Sequence, residues 1–220
     1  GFGYYQLTQK NGKRWSAKIA YLDPVRNRAN LDVESGAMAS GLVIDGTRVT
    51  GVNYNMNGRE MTAMVGREVI LCAGAVQSPQ LLELSGIGRP DVLSSHGIAV
   101  RHELAGVGEN LQDHYVSRFV WRLKNTSSLN EDTRGLRLVG EALKFALARR
   151  GALTMPAGII GGFVRSRPEL EVPDIQFHMA NASFGDAQKR VLDKFPGLTV
   201  GPCQLRPESR GSIHIQSADP

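Results

Sequence analysis

Residues 69–88 read VILCAGAVQSPQLLELSGIG, and this stretch decides the predicted fold. Val69–Ala73 is continuously apolar, which is typical of a strand buried on both faces of a parallel sheet. Ser78 and Pro79 predict an N-cap and a first helical residue, because a serine hydroxyl can accept a hydrogen bond from a free N–H group there. Gly86 would then end the helix in a left-handed cap. The stretch therefore predicts a strand, a small-residue turn and a helix.

Gly74 ends the predicted strand, at the sheet edge where ligands of parallel α/β folds bind. The missing Cβ lets a ligand approach the backbone closely. The N-terminus of the following helix adds free N–H groups and a partial positive charge, which favour a phosphate-bearing ligand. A plainer interpretation stays open, in which Gly74 and Ser78–Pro79 only shape a turn.

Residues 37–65 combine strand-like segments with two turn signals. Asp45–Gly46 and Asn57–Gly58 are typical of hairpins, since glycine tolerates the positive φ that two-residue turns need. The pattern predicts an antiparallel three-stranded meander, preceded by a short strand at Leu31–Val33. The three strands are Ala37–Ile44, Val49–Asn55 and Met61–Val65.

The pattern of predicted helices and strands changes near residues 115–116, where we place a domain boundary. Leu136–Arg149 is predicted to be an amphipathic helix, because its apolar residues share one face. The remaining predictions are a turn at Gln9–Lys13, helices at Ser16–Leu22 and Asp91–His96, a loop at 104–114, and strands at Ile98–Val100, Val116–Leu123, Ile159–Val164, Ile175–Met179, Thr199–Leu205 and Ile213–Gln216.

Composition limits the class of protein. The 220 residues are 41% hydrophobic and 21% charged, as in an ordinary globular chain. Apolar runs are far shorter than the roughly 20 residues that cross a bilayer. The net charge is +5, but the cations are scattered and no nucleic-acid-binding module is recognisable, so we expect no nucleic-acid partner. A start at Gly1 and an end at Pro220 suggest a piece of a longer protein.

Cys72 and Cys203 are the only cysteines, too few and too far apart for a disulfide framework or a metal site. Cys72 lies in an apolar run and is predicted to be a buried thiol. Sparse cysteines fit a reducing compartment, and we predict a cytoplasmic location. The histidines show no metal-ligand spacing; His178 and His214 fall in predicted strands, which favours a domain surface.

Residues 74–88 closely resemble the second signature of the glucose–methanol–choline (GMC) oxidoreductases. That signature asks for small residues, then Ser-Pro, two aliphatic residues and Ser-Gly-aliphatic-Gly, and each requirement is met here. Other landmarks of the family follow in the expected order along nearly the whole chain. They are Asn30-Leu31, Gly51-Val52, Arg67–Leu71, Gly106–His114, Gly161–Pro168 and Arg206–Pro220.

The resemblance implies an α/β protein, α+β overall, with FAD as cofactor. Residues 1–115 would be part of an FAD/NAD(P)-binding domain of the glutathione-reductase type that carries the meander. Residues 116–220 would be part of a sheet-based substrate domain. The dinucleotide fingerprint of the family would lie upstream and its catalytic histidine downstream of this chain. Gly86-Ile87-Gly88 and Gly106-Val107-Gly108 do not continue to the third glycine of that fingerprint, and no residue is predicted to be catalytic.

Six residues are candidates for cofactor binding through the resemblance. The family holds its adenine by backbone groups of a residue, usually valine, on the strand after the Asn-Leu landmark. That position is Ala39, which can also be read as a plain strand residue. Asp113 and His114 would lie near the domain junction, where a structural role is favoured for the histidine. The predicted cofactor-binding set is Ala39, Ala73, Gly74, Ser78, Asp113 and His114.

The implied reaction is oxidation of a small-molecule alcohol by hydride transfer to the flavin, within a longer enzyme. Oxygen or a quinone-like compound would accept the electrons. Two alternatives remain: an FAD-containing hydroxynitrile lyase of the same fold, and a chain that is inactive as it stands. The basic helix near residues 134–150 could touch an anionic membrane, but a solvated face is the favoured interpretation.

Overall fold

The computed structural model describes residues 1–156, 158–186, 188–189 and 191–220. They form two compact units, each made of two stretches of chain. Unit 1 contains residues 1–31 and 114–207, and unit 2 contains residues 32–113 and 208–220. The chain therefore passes between the units three times. Residues 1–31 fold with residues 114–207, and residues 208–220 fold with residues 32–113. That one unit serves the cofactor and the other the substrate stays a prediction.

The strands and helices are given in chain order. The strands are β1 (Phe2–Tyr4), β2 (Gln9–Lys10), β3 (Lys13–Arg14), β4 (Ala37–Asp45), β5 (Arg48–Met56), β6 (Arg59–Met64), β7 (Ile87–Gly88), β8 (His102–Glu103), β9 (Phe119–Arg122), β10 (Gly158–Val164), β11 (Ile175–Ala180), β12 (Phe184–Asp186), β13 (Val191–Leu192) and β14 (Gly197–Gln204). The helices are α1 (Gly74–Leu84), α2 (Pro90–Ser95), α3 (Leu129–Asp132) and α4 (Gly135–Ala148).

Unit 1 is built on a five-stranded antiparallel sheet in the order β1-β10-β11-β14-β9. Two aromatic rings of the N-terminal segment lie directly over glycines of β10. A Cβ on Gly161 would collide with the ring of Tyr5, and a Cβ on Gly162 would collide with the ring of Phe2. The two glycines therefore let the first stretch of the chain pack onto a sheet formed mostly by residues after 114.

Unit 2 contains the predicted meander, in the order β4-β5-β6. Asn57 and Gly58 both have positive φ, as a two-residue hairpin turn requires. Helix α1 lies against β4, and Ser85 Oγ joins the two elements by accepting from the Leu42 N–H at 2.8 Å and donating to the Leu81 carbonyl. The meander and the helix of the signature stretch are thus confirmed.

The segment Val69–Ala73 is not the predicted buried strand. It has no β pairing among the described residues, and Ile70 is 76% exposed. Cys72 is exposed, so the predicted buried thiol is wrong as well. A strand buried in a parallel sheet needs neighbours on both sides, and no described strand of unit 2 runs beside this segment. Helix α1 begins directly at Gly74, and Ser78 is not its cap; Pro79 lies inside it.

Some of the other local predictions are confirmed and some are wrong. The strands predicted in unit 1 are confirmed as β9, β10, β11 and β14, and the amphipathic helix is confirmed as α4. The short segments Leu31–Val33, Ile98–Val100 and Ile213–Gln216 are not strands, because runs of three or four residues carry too little periodicity to specify pairing. The helix predicted at 16–22 is a π-helical turn, Lys18–Leu22. No described helix has the length and apolar character needed to cross a bilayer.

Candidate functional site

Two of the predicted cofactor-binding residues meet at one cleft of unit 2. Ala39 lies on β4 and Ala73 directly precedes α1, yet both line an opening of about 410 Å³ that we call the Ala39 cleft. The small side chains at these positions leave the cleft open, and α1 supplies polar side chains to its wall. The full lining is Ala37, Met38, Ala39, Ala73, Gln77, Gln80, Leu81, Leu84 and Pro220.

Gly74 is the first residue of α1 and has a φ of +88°, a backbone conformation that L side chains rarely adopt. A Cβ built at this position would meet nothing within 4 Å, so the backbone here is open to approach. The first N–H groups of a helix have no partner within the helix. Ala73 and Gly74 therefore present exposed backbone and free N–H groups at the edge of the Ala39 cleft.

Ser78 lies elsewhere, in a second opening of unit 2 of about 660 Å³, which we call the Ser78 cleft. One wall of this cleft is α1 and the other is the irregular segment 104–112. Ser78 and Ala39 therefore line different clefts of the same unit. The full lining is Ala75, Ser78, Pro79, Leu82, Leu104, Gly106, Val107, Gly108, Glu109, Asn110, Leu111, Gln112 and Ile213.

Asp113 and His114 are consecutive in sequence but belong to different units. Both side chains are exposed. Neither residue lines the Ala39 cleft or the Ser78 cleft. Their predicted contact with the cofactor therefore stays a prediction.

A buried ionic cluster on α1 was not predicted from the sequence. Glu83 is fully buried and accepts hydrogen bonds from His214 Nδ1 at 2.6 Å and from the Ile215 N–H at 2.9 Å. His214 Nε2 lies 3.2 Å from Glu109 Oε1. When it is protonated, the His214 ring can donate from one nitrogen to each of these two carboxyl groups. The cluster ties the C-terminal segment to α1 and to the loop of the Ser78 cleft.

The charges in this cluster shift one another's pKa. The hydrogen bond to Glu83 raises the pKa of His214 above its ordinary value, burial opposes this, and Glu109 adds to it. Arg89, which donates to Glu109 at 2.7 Å, lowers the pKa of that carboxyl group, and His214 acts in the same direction. A second ion pair joins Arg89 to Asp91 at 2.6 Å. These contacts favour the ionised forms of His214, Glu109 and Asp91.

His214 thus differs from its prediction, since it lies in no strand and is half-buried inside unit 2. A signal for the cluster was present in the sequence: Glu83 lies between Leu82 and Leu84 and is the charged residue of an otherwise uncharged helix. A buried carboxylate needs a partner, but spacing along the chain does not indicate a partner 131 residues away. His178 does lie in a strand, β11, with Nδ1 at 3.0 Å from Tyr5 Oη.

Comparison with known protein sequences gives a consistent family. The GMC oxidoreductase profile matches residues 1–116. An uncharacterised GMC-type oxidoreductase of Mycobacterium tuberculosis is 43% identical over 220 residues, which are 100% of this chain and 40% of that protein. An alcohol dehydrogenase [acceptor] of Pseudomonas putida is 39% identical over 227 residues, covering 100% of this chain and 40% of the relative. Human mitochondrial choline dehydrogenase is 39% identical over 220 residues, covering 100% and 37%. The chain therefore spans about 40% of the length of these relatives.

Solved structures agree with this assignment. The formate oxidase of Aspergillus oryzae RIB40, in which modification of FAD has been studied, superposes with a TM-score of 0.85 at 26% identity, over 96% of this chain and 41% of that protein. A fungal aryl-alcohol oxidase superposes with a TM-score of 0.80 at 22% identity, over 100% and 45%, and shows the shared fold. The family profile, the sequence relatives and the fold agree: the chain belongs to the GMC oxidoreductases, a family of FAD-dependent enzymes.

Proposed function

We propose that this chain is part of an FAD-dependent enzyme that oxidises an alcohol by hydride transfer to the flavin. The observation that carries the proposal is the Ala39 cleft. Ala39 and Ala73 were singled out as cofactor contacts from the family's sequence pattern, and they line one opening although the strands β5 and β6 lie between them in sequence. The relatives named as alcohol dehydrogenase and aryl-alcohol oxidase support an alcohol as the substrate.

The residues of the Ala39 cleft fit the adenosine end of FAD. Ala39 and Ala73 leave room for a flat ring system, and Met38 and Leu81 offer apolar contact. The amides of Gln77 and Gln80 can both donate and accept hydrogen bonds. At the start of α1, free N–H groups and the helix dipole favour a phosphate oxygen. The cleft therefore offers the mixture of apolar and polar groups that a nucleotide requires.

FAD, when bound, supplies the hydride acceptor of the reaction. The role proposed for this chain is to bind and orient the nucleotide, with the backbone of Ala39, Ala73 and Gly74 closest to it. No residue of the chain is assigned the role of accepting the hydroxyl proton. Oxygen or a quinone-like compound as electron acceptor belongs to the same proposal, supported by relatives named as oxidases and as dehydrogenases that use an acceptor.

The cleft is tested by filling it. Ala39→Phe places a benzyl group in the opening and should weaken FAD binding by about tenfold or more, since overpacking typically costs about 1–3 kcal/mol. Ala63→Phe is a matched control, because Ala63 is exposed on β6 of the same meander and lies outside the cleft lining. Titration of the purified protein with FAD, followed by quenching of flavin fluorescence, gives both dissociation constants. Equal affinities for the two variants would contradict the proposed site.

The reaction is tested separately and without oxygen, on the FAD-loaded longer enzyme of which this chain is proposed to be a part. A primary alcohol should bleach the flavin absorbance, because hydride transfer reduces the ring. Bound FAD that no alcohol bleaches would exclude alcohol oxidation and favour a non-redox role such as that of a hydroxynitrile lyase.

A further inference from the structure

The sheet of unit 1 carries a cleft of about 440 Å³ on one face, which we call the Arg118 cleft. Most of its surface is apolar, and three polar side chains, Arg118, His178 and Thr199, converge on it. A mostly apolar opening with a few polar groups is the usual form of a small-molecule site. The full lining is Val116, Arg118, Gly158, His178, Met179, Ala180, Phe184, Thr199 and Gly201.

The strand register places two of the polar groups on the same face. His178 pairs directly with Gly201. Val116 pairs with Cys203 and Phe119 with Val200, so Arg118 lies opposite Gly201 on its other side. Residues directly opposite each other in a sheet share a face, and strands are spaced by about 4.8 Å. Arg118 and His178 therefore flank Gly201 from opposite sides, and the Val116 side chain packs against Gly201, with Cγ1 3.0 Å from the position that a Cβ there would take.

The orientation of His178 is held by a neighbour. Tyr5 Oη lies 3.0 Å from His178 Nδ1, and the same hydroxyl accepts a hydrogen bond from Gln176 Nε2 at 3.0 Å. With Nδ1 engaged in this way, Nε2 is the nitrogen of His178 left to contact a ligand. Thr199 Oγ1 donates to the Ala182 carbonyl at 2.7 Å, so the threonine is held as well.

The Arg118 cleft is positively charged. Arg118 is the charged side chain of its lining, and the lining residues that the structure describes include no carboxylate. A quaternary ammonium group needs a carboxylate or an aromatic cage to offset the loss of its hydration. Phe184 is the single aromatic ring beside His178 in this lining. A cationic alcohol would therefore meet an arginine without a compensating anion.

We propose that the Arg118 cleft binds the alcohol substrate and selects an uncharged or anionic alcohol over a quaternary-ammonium alcohol such as choline. This inference rests on the proposed alcohol oxidation and adds the class of substrate. It separates the chain from the choline dehydrogenases that it resembles at 39% identity. The positive charge that excludes choline is that of Arg118.

The test measures binding at the cleft without requiring turnover. The methyl groups of Val116, which lines the cleft and lies two residues before Arg118 on the same face, are observed by NMR in isotope-labelled protein. Three probes are titrated: choline, its neutral isostere with carbon in place of the quaternary nitrogen, and glycolate. The isostere and glycolate should shift the Val116 signals, with choline binding about fivefold or more weakly than the isostere, as expected for like charges near a partly exposed site.

Charge variants complete the test. Arg118→Gln should remove the difference between choline and its isostere, and Arg118→Glu should make choline the tighter ligand. Arg122→Gln is the matched control, because Arg122 lies on the following strand β9 but outside the cleft lining. The side chain of Arg118 is exposed, so these variants should retain the tryptophan fluorescence of the folded protein. Val116 signals that no probe shifts, or choline binding as tightly as its isostere to the unmodified protein, overturns the inference. Flavin bleaching by alcohols, measured independently, decides the proposed function.

Discussion

At the residue scale, a few positions couple distant parts of the chain, and Gly108 shows how. It lies in the wall of the Ser78 cleft with a φ of +76°, and a Cβ added there would collide with the Ile213 carbonyl and lie 2.7 Å from His214 Nδ1. The Ile213 N–H donates to the Gly108 carbonyl at 2.7 Å. The absence of a side chain therefore allows the C-terminal segment to approach the loop.

Replacing this glycine tests the close approach. Gly108→Ala should lower the free energy of unfolding by about 2 kcal/mol or more, because strain at positive φ adds to overpacking. Gly106→Ala is the control in the same loop, where a Cβ meets nothing within 4 Å. Urea unfolding followed by circular dichroism gives both values. A loss of stability as large for Gly106→Ala would contradict this explanation.

At the element scale, α1 has more roles than the sequence predicts for it. One side of the helix, including Gln77 and Leu84, lines the Ala39 cleft, another side, including Ala75 and Leu82, lines the Ser78 cleft, and Glu83 near its end contacts His214. One short helix therefore positions both openings of unit 2 and anchors the C-terminal segment. A change in the charge of His214 should therefore alter the stability of the whole of α1.

The stability of unit 2 should consequently depend on pH. The pKa of His214 is raised above its ordinary value of 6.5 by Glu83, so the stabilising charge is fully present below that value and is lost as pH rises through the raised pKa. Glu109, whose pKa is lowered by Arg89, contributes stability above the ordinary carboxyl range that is lost on acidification. His214→Gln should cost about 1–2 kcal/mol at mildly acidic pH and less at alkaline pH.

Thermal unfolding across a pH series measures this difference. His102→Gln provides a control, since His102 is exposed on β8 of the same unit and takes no part in the cluster. Parallel pH profiles for the unmodified protein and His214→Gln would show that the imidazolium contributes nothing to stability.

At the scale of the whole molecule, the two units are not consecutive halves of the chain. Residues 208–220 complete unit 2, through the Leu111–Gly211 bridge and the partners of Glu83. Truncation after Pro207 would leave Glu83 buried without His214 or the Ile215 N–H, and breaking a buried charged pair typically costs about 3–5 kcal/mol. Hydrogen exchange in α1 and in the loop at 104–111 should therefore accelerate more than exchange in β10 and β11.

Tryptophan fluorescence measures whether unit 1 stays folded after this truncation. Trp15 and Trp121 both belong to unit 1, so tryptophan fluorescence reports that unit, whereas exchange in α1 reports unit 2. Equal acceleration of exchange in α1 and in β11 would show that the C-terminal segment is not specific to unit 2.

Prediction succeeded where structure is local and failed where it depends on remote partners. Hairpin residues such as Asn57–Gly58 specify their own turn, and the alternation of β10, β11 and β14 specifies strands, because backbone sterics and side-chain periodicity act over a few residues. The family resemblance made Ala39 and Ala73 candidates for cofactor binding. Val69–Ala73 was predicted wrongly because an apolar run becomes a strand only beside other strands.

The sequence by itself determined the meander, the helix of the signature stretch and membership of the GMC oxidoreductases, since these depend on short-range pattern. Tertiary structure alone decided that Ala39 and Ala73 line one cleft, that His214 is the partner of Glu83, and that Arg118 and His178 flank Gly201. Each of these contacts joins residues that are 23 or more apart. The spacing of residues along a chain does not show which remote residues meet, because packing and strand register bring them together.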